Sequence, residues 1–286
     1  MTIHIITDGS SDLTPELVEH YGIHVVPLYV RFGQDVLTSD MNTDSFYERM
    51  REEHELPNTA SPSPADFYHM YRSLGTDKDI LVLSLTSQLS STYNHALMAK
   101  TMYEEEGHPN RIEVLDTKTA SMGLGLLAVR AAQLARAGEE LHDLMAKMVH
   151  FIKHTRTYFT LDTLENVIRG GRLSRIKGTV ASMLNIKLLM EASEEGSIEV
   201  MEKIRGTQKT LRRLIDKVGD AWHQVDKNWI ALAHSNCEER AKVFLRDLLD
   251  KYPFDQVLFV NMGPVIGTYA GEGGVLISYQ EAPALS

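Results

Sequence analysis

Short apolar runs alternate with helically spaced apolar positions through the first half of the chain. Residues 3–6, 23–32, 80–83 and 112–115 have the length and content of buried strands. Pro27 interrupts the second run and predicts a bend or an edge position. Thr14-Pro15-Glu16 is a helix start, with Thr14 as N-cap and Pro15 in the first turn, and Tyr21-Gly22 is its end. Phe46 and Met50 share one face of a helix over 43–53. Residues 57–64 form a loop, and Ser63, Pro64 and Asp66 cap a helix running to about Leu74. Another helix begins at Thr92. The Ala- and Leu-rich stretch 122–137 is helical and closed by Gly138, and 141–152 is the next helix. Such alternation predicts a parallel sheet with helices on both faces.

The texture changes near residue 155. A strand over 157–161 is followed by a helical turn at 164–168, closed by Gly170-Gly171. Arg172-Leu173-Ser174 leads into a predicted helix to about 184. Residues 186–190 and 197–203 make a strand pair joined by the acidic turn Glu194-Glu195-Gly196. A helix over 207–218, a buried strand over 229–233, a helix over 238–251 and strands over 257–260 and 275–279 complete the pattern. Residues 263–271 lie between the last two strands. The expected class is α/β, in two α/β domains. Residues 1–155 carry a mainly parallel sheet flanked by helices, residues 156–280 carry a mixed sheet with helices, and 281–286 form a loose tail.

A length of 286 residues agrees with about two domains. The formal net charge of -10 argues against a nucleic-acid partner and against more than transient contact with an anionic membrane. The single cysteine, Cys237, rules out an intrachain disulfide and suits a reducing cytoplasm. Met1-Thr2-Ile3-His4 lacks the basic region of a signal peptide, and no apolar run has the length of a membrane span. Twelve histidines are present without a two-histidine metal motif, so no metal is expected. No phosphate loop is present, and the glycines of 267–274 lack dinucleotide spacing, so no cofactor is expected either.

The stretch 83–96 holds the leading candidate for chemistry. Hydroxyl residues crowd a turn between a strand and a helix, where open α/β sheets hold ligands. Ser90 there either grips a small anion, helped by helix-start N–H groups, or caps the helix. A nucleophile elbow is excluded, because Gln88 and Thr92 stand where its glycines would be. Further hydroxyls end other strands, at 7–11, Thr59 and Thr117. Hydroxyls without a base are poor catalysts but donate well to a carboxylate. Arg172, after two glycines, is either an unobstructed guanidinium or a solvated residue at a helix terminator.

Thr7-Asp8-Gly9-Ser10-Ser11-Asp12-Leu13 resembles the N-terminal signature of the DegV family of bacterial fatty-acid-binding proteins. The likeness continues at 59–64, at Leu89-Ser90-Ser91-Thr92-Tyr93, and at 116–125 with Ser121-Met122-Gly123. It continues again at Gly170-Gly171-Arg172-Leu173-Ser174, Leu184-Asn185-Ile186-Lys187 and Gly263-Pro264-Val265-Ile266-Gly267-Thr268. These markers keep the family's order and span nearly the whole chain. The resemblance implies a long-chain fatty acid held in a cleft between the two domains, with Thr59 and Ser90 on its carboxylate and Ser91 and Tyr269 as additional polar contacts. It also implies a carrier rather than an enzyme. The carrier presents the acid to a separate ATP-dependent fatty acid kinase, which makes an acyl phosphate for phospholipid synthesis, and Arg172 belongs to that phosphorylation and kinase-facing site. Tyr269 stands where the family usually has a histidine, Ser91 for a glycine, Gly9 for a serine and Glu272 for a proline. Ala60 and Ser61 stand for serine and glutamine. The competing expectation is a dihydroxyacetone-kinase-like phosphotransfer domain.

Overall fold

The computed structural model describes residues 3–53, 55–173 and 185–281. The predicted helix ending at 184 lies outside the described residues, as does the predicted tail beyond Glu281.

Four parallel strands form the first sheet: β1 (Ile3–Asp8), β2 (Ile23–Val26), β6 (Asp79–Ser84) and β7 (Ile112–Asp116), in the order β2-β1-β6-β7. Its strands are apolar on both faces, as a parallel sheet covered on both sides requires. Ile3, Ile5, Leu81 and Leu83 face one core, while Ile6, Ile80 and Val82 face another. The second core is closed by α3 (Pro64–Ser73) and α4 (Thr92–Glu105) through Phe67, Tyr71, Ala96, Ala99 and Tyr103. Thr14 caps α1 (Pro15–Tyr21) and Gly22 ends it at φ 62°. Ser63 and Asp66 form the full reciprocal capping box of α3.

The run 23–32 is two strands in two sheets rather than one bent strand. Pro27 has no N–H to continue the ladder, and the chain leaves the parallel sheet after Val26. It re-enters a small antiparallel sheet as β3 (Tyr29–Phe32), between β4 (Asp35–Thr38) and β5 (Asn58–Ala60). The predicted loop 57–64 therefore contains a strand, with Thr59 paired to Val30. With α2 (Thr43–Glu52), this small sheet buries Leu28, Val30, Phe32, Phe46 and Tyr47.

Six strands form the third sheet: β8 (Thr155–Thr160), β9 (Ile186–Ala192), β10 (Ile198–Arg205), β11 (Val225–His234), β12 (Gln256–Asn261) and β13 (Val275–Glu281). Their order is β10-β9-β8-β13-β11-β12, antiparallel except for the parallel β11–β12 pair. Its outer face is covered by α8 (Thr207–Asp220) and α9 (Glu238–Lys251). Two short helices, α7 (Glu165–Arg169) and α10 (Pro264–Ala270), pack on each other. Between the two large sheets runs α5 (Met122–Arg136), with α6 (Leu141–His154) beside it. Helix α5 touches β1 and β6 on one side and β11 and β13 on the other, so one core joins both sheets.

Candidate functional site

The C-terminal ends of β1, β6 and β7 lie side by side and carry the loops that the sequence marks with hydroxyls. Asp8 ties two of them together. Its Oδ1 accepts from the Ser10 N–H (3.1 Å) and hydroxyl (2.5 Å), and its Oδ2 from the Leu85 N–H (2.8 Å) and the Ser84 hydroxyl (3.1 Å). Burial raises the Asp8 pKa, and these four bonds oppose the shift. Asp12, at φ 54°, reaches across to the other half. It accepts from the Ser121 hydroxyl at 2.5 Å and from the Gly263 N–H at 2.8 Å. Burial pushes its pKa up to about 7.

Beside these loops opens a cleft with about 900 Å³ of atom-free space, part of it open to solvent. Its lining comes from both halves of the chain, so the space is a slot between them. Leu85, Phe159, Leu161, Met262, Ile266 and Leu276 give it apolar walls.

Thr59, Ser90, Tyr269 and Arg172 come together on this cleft from four separate stretches of chain. Thr59 Oγ1 and Tyr269 Oη are 2.5 Å apart. Tyr269 is brought in by α10, which sits close to α2 because residue 267 has no side chain. A Cβ there would lie 2.7 Å from Phe46 Cε1. A Cβ at Gly170 would overlap the Tyr269 ring. The Arg172 guanidinium lies 4.9 Å from the centre of that ring. Arg172 Nε donates to Leu89 O at 3.2 Å and Nη1 to Gly170 O at 2.5 Å, and no other acceptor among the described residues takes its remaining N–H groups, which suit an anion. Ser90 Oγ accepts from the Thr92 N–H at 3.3 Å and lies 2.8 Å from Thr92 Oγ1. It thus belongs to the turn before α4 and lines the slot as well.

Ser91 is not part of this group. It is exposed, and its hydroxyl is 2.8 Å from the Ser61 hydroxyl outside the slot. The slot also has hydroxyls that sequence reasoning missed, from Thr119 and Thr157, beside Thr86 of the hydroxyl-rich stretch 83–96. Thr157 was within reach of strand periodicity, since it alternates with Phe159 and Leu161. Thr119 has no local signal, because a chain reversal alone brings it to the slot.

A family profile described as "Uncharacterised protein, DegV family" matches residues 2–281. The chain belongs to the DegV family. A DegV domain-containing protein of Caldanaerobacter subterraneus subsp. tengcongensis, TTE1491, is 30% identical, over 98% of this chain and 99% of its own. A solved DegV family protein of Ruminococcus gnavus, refined with vaccenic acid, superposes with a TM-score of 0.89 at 30% identity, over 97% of this chain and 99% of that one. The Streptococcus pneumoniae Fatty Acid Kinase (Fak) B3 protein, loaded with linoleic acid, superposes with a TM-score of 0.86 at 26% identity, over 98% and 99% of the two chains. The two large sheets described above, one parallel and one mixed, are the DegV architecture. Among the described residues, no helix is long and apolar enough to cross a membrane.

Proposed function

We propose that this DegV chain binds a long-chain fatty acid in the slot, with its carboxylate at Thr59 and Ser90, and presents it to a separate ATP-dependent kinase for acyl phosphate formation. The observation that carries the reading is an apolar slot whose rim gathers Thr59, Ser90, Tyr269 and Arg172. In this reading residues 1–155 and 156–280 act as two lobes that clasp the acid. A buried acyl tail contributes roughly 0.8 kcal/mol per CH₂, on the order of 10 kcal/mol gross for a long chain. Hydrogen bonds to a charged group add about 1.5–3 kcal/mol each. The tail therefore supplies affinity, and the hydroxyls supply orientation and prevent the cost of an unpaired buried charge. The relatives solved with vaccenic and linoleic acids support the binding reading, and the Fatty Acid Kinase B3 relative supports the kinase.

Native mass spectrometry of freshly purified protein tests the first part. The expected spectrum shows an added mass equal to one fatty acid, and a protein with no acyl cargo that also takes up none from a fatty acid solution sinks the reading. Arg172→Ala tests the second. Tail affinity should hold within a few-fold while kinase-dependent acyl phosphate formation falls. Unimpaired phosphorylation of the variant removes Arg172 from the kinase-facing role.

A further inference from the structure

The apolar wall of the slot carries hydroxyls away from its rim. Thr119, in the turn before α5, and Thr157, in β8, both line it and are only 4% and 5% exposed. Thr119 Oγ1 lies 3.0 Å from Thr157 Oγ1, which lies 3.0 Å from Ser278 Oγ. Ser278 in turn donates to Arg156 O at 3.0 Å. A hydroxyl has one proton. With the Ser278 proton on the carbonyl, the relay that bonds every member has Thr157 donating to Ser278 and Thr119 donating to Thr157. The other contact of the Thr119 hydroxyl, to Ala120 O at 3.5 Å, is a donation too. In the relay that runs from Thr119 through Thr157 to Ser278, no described residue donates to the lone pairs of Thr119.

Thr86 stands next to it, its N–H donating to Thr119 O at 2.9 Å. Fully buried, it also lines the slot. Its Oγ1 accepts from the Gln88 N–H at 3.2 Å. No described residue accepts its proton. An acceptor and a donor therefore sit on adjoining stretches of backbone in a mostly apolar wall. Two glycines keep room for them. A Cβ at Gly196, in the β9–β10 turn at φ 89°, would overlap Thr86 Oγ1. A Cβ at Gly123 would lie 2.6 Å from Thr157 Oγ1 and overlap Thr119 Oγ1. Thr119 and Thr157 also border a surface hollow lined by Lys153, Arg156 and Glu191, which shares no residue with the Thr59, Tyr269 and Arg172 rim. The Thr119 end of the station thus borders a different opening from the rim.

A group that both gives and accepts a hydrogen bond fits there, and an alcohol on an acyl chain is such a group. We propose that the slot takes a fatty acid bearing a hydroxyl group away from its carboxyl end, with that hydroxyl donating to Thr119 and accepting from Thr86. The inference rests on the fatty-acid reading above and narrows its substrate class.

Calorimetric titration of the lipid-stripped full chain separates the two claims. The probes are octadecanoic acid and hydroxy-octadecanoic acids with the hydroxyl at mid-chain or on the terminal carbon. A slot without partners for the hydroxyl would weaken binding about five- to hundredfold relative to the plain acid. The expected result is that at least one hydroxylated acid binds as tightly as octadecanoic acid or more tightly. In Thr119→Val or Thr86→Val, the ratio of the two affinities should move about tenfold against the hydroxylated acid. Rejection of every hydroxylated acid by the wild type overturns the inference while leaving fatty acid binding standing. So does a ratio that neither variant changes. If no acid of either kind binds, the fatty-acid reading itself falls, and this one with it.

Discussion

At the scale of single residues, the carboxylate role proposed for the rim rests on proton placement. Thr59 and Tyr269 share one hydrogen bond, so one of the two hydroxyl protons is committed to the other oxygen. The second proton remains to point at a carboxylate. Whichever residue plays which part, the pair offers one outward donor, polarised by the bond behind it. Thr59→Val combined with Tyr269→Phe removes both hydroxyls of the pair, and with them its outward donor, while the ring between Gly170 and Arg172 stays. Fatty acid affinity should fall by about tenfold or more, the scale of a hydrogen bond to a charged acceptor. A binding assay that finds the double variant within twofold of wild type would remove the Thr59–Tyr269 pair from carboxylate recognition. The phenol also carries no cation near neutrality, unlike a protonated histidine at the same place. Attraction for the carboxylate at long range therefore falls to Arg172 alone among the four rim residues.

Between elements, Asp12 is the joint. It hangs from the β1–α1 connection and holds the start of α5 through Ser121 and the start of α10 through Gly263. Its pKa rises from 3.8 to about 7 because the site is dry. The folded chain therefore keeps a proton that the unfolded chain has lost between about pH 4 and 7, and stability declines as pH rises through that window. Asp12→Asn abolishes this proton, keeps a carbonyl for Gly263, and tolerates the left-handed backbone. Relative to wild type the variant should gain stability with rising pH, by a few kcal/mol at most once the window is crossed. Denaturant titrations of both proteins at pH 5 and pH 8 measure it, and a difference that does not vary with pH refutes it. Other elements were plainer in the sequence. Helix α9 has the bounds that its pattern predicts, and α3 its capping box, because both signals are local. Strand β5 was not legible. Its three residues have no apolar alternation, and they are extended only because β3, far off in sequence, pairs with them. Helix α10 was hidden by Gly267 and its β-branched neighbours, which score poorly as helix formers. It is helical because it packs against α2 and α7. Thr59, Ser90 and Arg172 could each be singled out by local pattern and resemblance. Their meeting point, and the buried Thr86–Thr119 pair, depend on long-range contacts to which no local window has access.

Across the whole molecule, α5 decides how the chain holds together. Eleven of its fifteen residues are buried, and their neighbours come from both large sheets. Neither sheet can lose its packing without exposing the helix to water on the other side. Both tryptophans, Trp222 and Trp229, lie after residue 155, so their fluorescence reports on the C-terminal half, while circular dichroism reports on all helices and strands. The two signals should melt with one midpoint. Two separate midpoints would show that the halves unfold independently. The same wedge bears on how such a gene can be cut. A fragment starting at Thr155 would keep the six-stranded sheet but leave its α5-facing stripe bare, a sticky surface for neighbouring copies. Its complement would keep α5 with the opposite flank undressed. Made alone, each piece is destined for inclusion bodies; made together in one cell, they have reason to find each other and restore the seam.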